Sequence, residues 1–258
     1  MTLKRHIPNA ITCLNLFCGC MAVVFALRGW LGFAAYMVIA AAVFDFCDGL
    51  AARLLKAYSS VGKELDSLAD LISFGLAPAA MMHYEFCHVL SPKISYGLDS
   101  IPWELYSFFP FIIVIAAALR LAKFNTDGRQ SEHFIGLPTP ASALLIISLL
   151  VYITRTPRCM PLFETTYTIP LLAVLLSWLM VSGIPMFSLK IKALQWSGNQ
   201  IRFLFGVLLL IYTVLAFSFG WHWSLTLLII VLHYIVLSLL FWATSKNVST
   251  FATISKKI

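Results

Sequence analysis

Eight stretches of this chain, residues 9–28, 31–53, 66–86, 104–123, 139–154, 167–182, 202–219 and 222–244, are apolar over close to the length that crosses a bilayer. A helix needs roughly 20 mostly apolar residues for that. Of the 258 residues, 60% are hydrophobic and 11% are charged, too few charges to cover a water-soluble fold of this size. Alternation of period two is missing and the apolar runs are long, which argues against a β-barrel. The expected fold class is all-α: a polytopic membrane helical bundle of about eight transmembrane helices, forming a single domain over 1–258.

The placement of charge orients such a bundle. Of the eighteen Lys and Arg, only Arg28, Lys93, Arg155 and Arg158 fall outside one set of alternate loops and helix ends. Positive charge collects on the cytoplasmic side, so both termini are expected inside. The formal net charge of +7 does not point to nucleic acid, because no soluble basic domain is present to bind it. The opening "MTLKRHIPNAITCLNLFCGC" has the basic start of a signal peptide, but Pro8, Asn9, Thr12 and Asn15 interrupt the apolar run. It reads as a retained first helix.

Other features carry less chemistry. The cysteines, Cys13, Cys18, Cys20, Cys47, Cys87 and Cys159, mostly lie in apolar spans without metal-site spacing, and read as small buried hydrophobes. His6, His83, His88, His222 and His233 suit packed or interfacial roles, while His133 falls in a loop next to a candidate substrate pocket. Residues 187–202, with Lys190, Lys192, Trp196 and Arg202, read either as an interfacial amphipathic helix or as a plain loop.

The chemistry concentrates in "FDFCDGLAARLLKAYSSVGKELDSLAD", residues 44–70. A charged side chain at the centre of a membrane helix costs at least ~2.5–3.5 kcal/mol, so Asp45, Asp48, Asp66 and Asp70 need partners. At about 100° per residue, Asp45, Asp48, Gly49 and Ala52 share one stripe of the second helix. Asp66 and Asp70, at i and i+4, stack on the third, with Gly62 on the same side. The short link between these helices sets the two acidic stripes face to face. Four converging carboxylates repel unless cations fill the gap, and such hard oxygen ligands suit Mg2+, Mn2+ or Ca2+. Two cations roughly 3.5–4 Å apart would form the arrangement used for displacement at phosphorus. Arg53, one turn past Gly49, would offer a fixed cation to a phosphate. The competing reading is a salt-bridged or proton-relay cluster of a cation- or proton-coupled membrane transporter. Against it, Arg53, Lys56 and Lys63 are too few to neutralise four aspartates.

The spacing D45-x2-D48-G49-x2-A52-R53-x8-G62-x3-D66-x3-D70 resembles the signature of the CDP-alcohol phosphotransferase family at all its fixed positions. The resemblance implies transfer of a substituted phosphoryl group from a CDP-linked donor to an alcohol, with release of CMP, using two divalent cations, Mg2+ or Mn2+. It implies that Asp45, Asp48, Asp66 and Asp70 hold the metals and that Asp70 is also the catalytic base. Asn9, Thr12, Gly49, Arg53 and Ser59 would hold the donor, with Ala52 and Gly62 on the same surface. Single in-line displacement is favoured over an aspartyl-phosphate intermediate, since a metal-ligating carboxylate is a poor nucleophile.

Two further stretches, "IPNAITCLNLFCGCMAV" and "ALRLAKFNTDG…FIGLPTPASA", are similar to membrane-embedded phosphatidylserine synthases of bacteria and archaea. This implies CDP-diacylglycerol as donor, L-serine as acceptor, a homodimer, and a prokaryotic cytoplasmic membrane with the site facing the cytoplasm. Glycerol 3-phosphate or an inositol phosphate are the alternative acceptors. Arg120, Lys123 and Asn125 form the expected acceptor pocket, although Arg120 and Lys123 also read as plain positive-inside anchors. At Lys123 those enzymes often carry Arg, which weakens the expectation of bidentate binding there.

Overall fold

The computed structural model describes residues 3–91, 101–126, 134–156, 161, 165–186 and 200–255. Two long helices open it, α1 (Leu3–Leu27) and α2 (Leu31–Leu54). The turn between them is set by Gly29-Trp30. Gly29 takes a φ of +77°, its N–H donates to Ala26 O at 2.9 Å, and the Trp30 N–H donates to Phe25 O at 2.9 Å. This is the left-handed helix ending that glycine alone adopts without strain.

Next come α3 (Ser60–Asp70), a π-helical turn (Leu71–Leu76) and α4 (Ala77–Leu90), together one run of 31 residues. Ser59 caps α3 by accepting the Gly62 N–H at 2.9 Å, so helix begins at Ser60 rather than near residue 66. Pro78 has no N–H for the carbonyl four residues back, and the widened turn falls just before it. A short α5 (Ile101–Ser107), a 3-10 turn at Phe109–Phe111 and α6 (Ile112–Thr126) follow. Then come α7 (Thr139–Arg155), α8 (Thr168–Val181), α9 (Gln200–Phe219) and α10 (Trp223–Ser255). Gly220-Trp221 ends α9 as Gly29-Trp30 ends α1, with φ +61° at Gly220 and Trp221 N donating to Ala216 O at 2.9 Å. The extended pairing among the described residues is one antiparallel contact of β1 (Phe134–Ile135) with β2 (Pro185–Met186).

The helical class is as expected. Five helices among the described residues are long and apolar enough to cross a membrane: His6–Leu27, Leu31–Leu54, Ser60–Leu90, Pro102–Thr126 and Trp223–Ala243. Thr139–Arg155, Thr168–Val181 and Phe203–Phe219 are apolar but shorter.

α1 is the element around which the site is assembled. It runs along α2 and also packs on α3, the π turn and α4, whereas α2 and α3 touch each other little. The facing acidic stripes therefore meet because both helices lean on a third. The interfaces are lined by small residues, among them Ala22, Ala26, Ala34 and Ala41, which let backbones approach. Large apolar side chains such as Phe17, Phe33, Phe46, Leu171 and Phe217 point outward, as a lipid environment permits. The cysteines correct the expectation of burial: Cys18 is buried, Cys13 and Cys20 are exposed, and Cys47 and Cys87 are half-buried, all as free thiols. In a membrane bundle an outward-facing position is also apolar, so a small hydrophobe need not be inside. His83 is a packing residue, with Nδ1 2.7 Å from Ser107 O and its ring stacked on Phe108. Cys159, His133 and residues 187–199 of the expected interfacial segment lie outside the described residues.

Candidate active site

Asp45 and Asp48 descend from the second half of α2 and Asp66 rises from the second turn of α3. One carboxylate oxygen from each lies within 4.8 Å of the others. Asp48 is 6% exposed, and its Oδ2 and Asp66 Oδ1 are buried without a hydrogen-bond partner among the described residues. Like charges held so close repel strongly in a medium of low dielectric. Unpartnered buried oxygens of this kind fit a hard divalent cation, which takes oxygen ligands only. Asp70, 8% exposed, stands one turn beyond Asp66, outside that group of three but in electrostatic contact with all of its members.

Asp70 has a partner that the sequence reading did not assign. Asn15 of α1 donates from Nδ2 to Asp70 Oδ1 at 3.2 Å. The signal was present, since Asn9, Thr12 and Asn15 recur every three residues in an apolar span and place a polar stripe on one face of α1.

The residues expected to hold the donor gather along the same seam. Asn9, Ser59 and Gly62 meet where α1 faces the start of α3: a Cβ on Gly62 would lie 2.9 Å from Asn9 Oδ1 and 2.9 Å from Ser59 Oγ. Thr12 is buried beside Asp48 and donates back to Pro8 O at 3.0 Å. On α2, Arg53 is exposed and folds along its own helix, its Nε donating to Gly49 O at 2.9 Å. Gly49 otherwise faces open space, the nearest atom to a Cβ there being Arg53 Nη2 at 4.0 Å. Ala52 is half-buried beside Arg53. A phosphate could approach the bare backbone at Gly49 with a guanidinium next to it.

On the other side of the aspartates lies a cavity of about 220 Å3, bordered by Asp45, Asp66, Asp70, Lys63, Arg120 and Thr139 among others. Arg120 is 8% exposed. Its Nη1 donates to Thr139 Oγ1 at 3.4 Å, Nε has no partner among the described residues, and Asp70 is within electrostatic reach. A buried guanidinium with unused donors suits an anionic group. Asn125 borders the cavity too and donates from Nδ2 to Ser67 Oγ at 2.9 Å. Lys123 does not line the cavity. It lies exposed one turn past Arg120, and Lys63 of α3 takes the cationic place on the wall, with Nζ donating to Asn125 O at 2.9 Å.

The sequence profile of the CDP-alcohol phosphatidyltransferase family matches residues 5–185, well over half of the chain. The chain belongs to that family. The matched region runs from α1 to β2 and contains all four aspartates and Arg120, while α9 and α10 lie beyond it. The chain is similar to a Bacillus subtilis protein named CDP-diacylglycerol–serine O-phosphatidyltransferase, 34% identical over 183 residues, covering 70% of this chain and 89% of the relative. It is similar to proteins of the same name from Mycobacterium leprae, 36% identical over 151 residues (56% of this chain, 46% of the relative), and Helicobacter pylori, 34% over 142 residues (54% and 55%). The chain thus spans about half the length of the Mycobacterium leprae and Helicobacter pylori relatives.

Proposed function

We propose that this protein transfers the phosphatidyl group of CDP-diacylglycerol to the hydroxyl of L-serine, giving phosphatidylserine and CMP. One observation carries the reading: of three carboxylates within 4.8 Å of one another, Asp45, Asp48 and Asp66, two (Asp45 and Asp66) border a cavity that also holds the buried guanidinium of Arg120. The pair supplies a place for a pyrophosphate-bearing donor and a place for an anionic acceptor. The names of the three relatives favour serine as that acceptor.

Asp45, Asp48, Asp66 and Asp70 would hold two divalent cations, Mg2+ or Mn2+, which when bound neutralise the donor's pyrophosphate. Asn9, Thr12, Gly49, Ala52, Arg53, Ser59 and Gly62 would bind the cytidine diphosphate portion. The bare backbone at Gly49 admits a phosphate, and Arg53 donates to its oxygens. Arg120, with Asn125 and Lys63 on the same cavity wall, would take the serine carboxylate and aim the hydroxyl. The Asp70 carboxylate takes the hydroxyl proton as the serine oxygen forms its bond to the phosphatidyl phosphorus. The bond from that phosphorus to the bridging oxygen breaks in line, and CMP leaves with the electron pair.

As a single domain, the chain would cross the membrane eight times with both termini inside, its site facing the cytoplasm of a prokaryotic cell. Arg53, Lys56, Lys63 and Lys123 support that orientation, for they are exposed at the same end of the bundle as the aspartates. A homodimer belongs to the same proposal.

The test is CMP release by detergent-purified protein given CDP-diacylglycerol and Mn2+ or Mg2+, with serine, glycerol 3-phosphate or inositol phosphate supplied separately. Release that depends on serine supports the reading. Release with another acceptor retires serine and keeps the chemistry, and no release under any condition returns the transporter reading.

A further inference from the structure

Asn15 lies in the middle of α1 with 0% of its surface exposed, and the reaction above gives it no substrate to bind. A buried amide costs free energy unless it is paired, so its partners indicate what it does. Nδ2 donates to Asp70 Oδ1 at 3.2 Å, and the backbone carbonyl accepts from Ser73 Oγ at 3.0 Å. One turn along α1, a Cβ on Gly19 would lie 2.9 Å from Ser73 Cα, so α1 is keyed at two successive turns to the segment just after Asp70. The amide orientation follows from its neighbour. Turned over, Oδ1 would face Asp70 Oδ1, acceptor against acceptor. Asn15 Oδ1 itself has no partner among the described residues, so the side chain spends its one hydrogen bond on Asp70.

We infer that Asn15 is a positioning residue for Asp70, its N–H holding one carboxylate oxygen so that the other is presented to the acceptor hydroxyl. This rests on the reading of Asp70 as the base. A carboxylate at the edge of a 220 Å3 cavity would otherwise sample several rotamers, few of which point at the incoming hydroxyl. An amide suits the task better than a cation in the same place. It fixes geometry through a charge-assisted hydrogen bond and leaves the negative charge of Asp70 available for the proton.

The experiment compares Asn15→Leu and Asn15→Ala with the wild-type enzyme. Leu keeps the branched outline and the number of non-hydrogen side-chain atoms, suits the membrane helix and removes the unpartnered Oδ1, yet it cannot donate. CMP release, the KM of donor and acceptor, Mn2+ binding by electron paramagnetic resonance, and thermal unfolding are read on each. Both variants are expected to lose about tenfold to a hundredfold in kcat, the scale of one hydrogen bond to a charged group. Both KM values and Mn2+ affinity are expected to stay within about twofold of wild type, with no loss of thermal stability in Asn15→Leu. Wild-type kcat in Asn15→Leu overturns the inference. So does a loss in which stability, Mn2+ affinity and donor KM worsen together, for that is the pattern of a purely structural residue. Failure of the wild-type enzyme to release CMP with any acceptor is seen before any variant is read, and it retires the function together with this role for Asn15.

Discussion

Asn125 donates its side-chain amide to Ser67 Oγ at 2.9 Å, tying the end of α6 to α3 one residue beyond Asp66. The cavity wall and the acidic cluster therefore share a strut. Asn125 was expected as an acceptor ligand, and here one of its two amide N–H groups is given to Ser67, which leaves the other N–H and the side-chain oxygen for a substrate.

Because the strut has two ends, Asn125→Ala and Ser67→Ala should behave alike. Each is expected to raise the acceptor KM severalfold and to lower stability by about 1 kcal/mol, the net worth of one neutral hydrogen bond. The double variant should cost little more than either single one, since the same interaction is removed. Steady-state kinetics and thermal unfolding in detergent measure both.

The metal and base roles separate by isosteric change. Asp48→Asn should abolish CMP release and weaken Mn2+ binding, because Asp48 Oδ2 is one of the buried oxygens without a hydrogen-bond partner among the described residues. Asp70→Asn should stop turnover while leaving binding of a labelled CDP-lipid near wild type. Near-normal turnover in Asp70→Asn would remove its assignment as base. Chelation should silence the wild-type enzyme, and added Mn2+ or Mg2+ should restore it.

Arg120→Ala is expected to raise the acceptor KM more than the donor KM. Arg120→Lys should not restore it, because an ammonium cannot reproduce the planar fork that a carboxylate meets with two parallel hydrogen bonds. Lys63→Ala should raise the acceptor KM more than Lys123→Ala, since Lys63 borders the cavity and Lys123 does not. Equal rises in both KM values for Arg120→Ala would remove the acceptor pocket.

Gly62→Ala tests the donor seam. The added methyl would meet Asn9 Oδ1 and Ser59 Oγ at 2.9 Å each, and both belong to the expected donor surface. Overpacking of this kind costs about 1–3 kcal/mol, and here it would push Asn9 aside. A higher donor KM with an unchanged acceptor KM is the expected split, read from CMP release at varied concentrations of each substrate.

The sequence by itself determined the helices and the faces they present. Asp45, Asp48 and Gly49 had to share a stripe, and Asp66 had to stack on Asp70, because helical periodicity acts within a few residues. Gly29-Trp30 and Gly220-Trp221 were readable as breaks for the same reason. The partners of those faces were decided only by tertiary structure. In a membrane bundle the outer surface is as apolar as the interior, so hydrophobicity does not say which side of a helix meets protein. That is why Cys13 and Cys20 face outward, and why α1, rather than the α2–α3 link, brings the aspartates together. It is also why Lys63 instead of Lys123 stands on the cavity wall. Asn15, 55 residues from Asp70 in the chain, showed in the sequence only as a polar residue in an apolar span. Its hydrogen bond exists because α1 packs against the turn that follows Asp70, and a contact over that separation is set by packing rather than by local pattern.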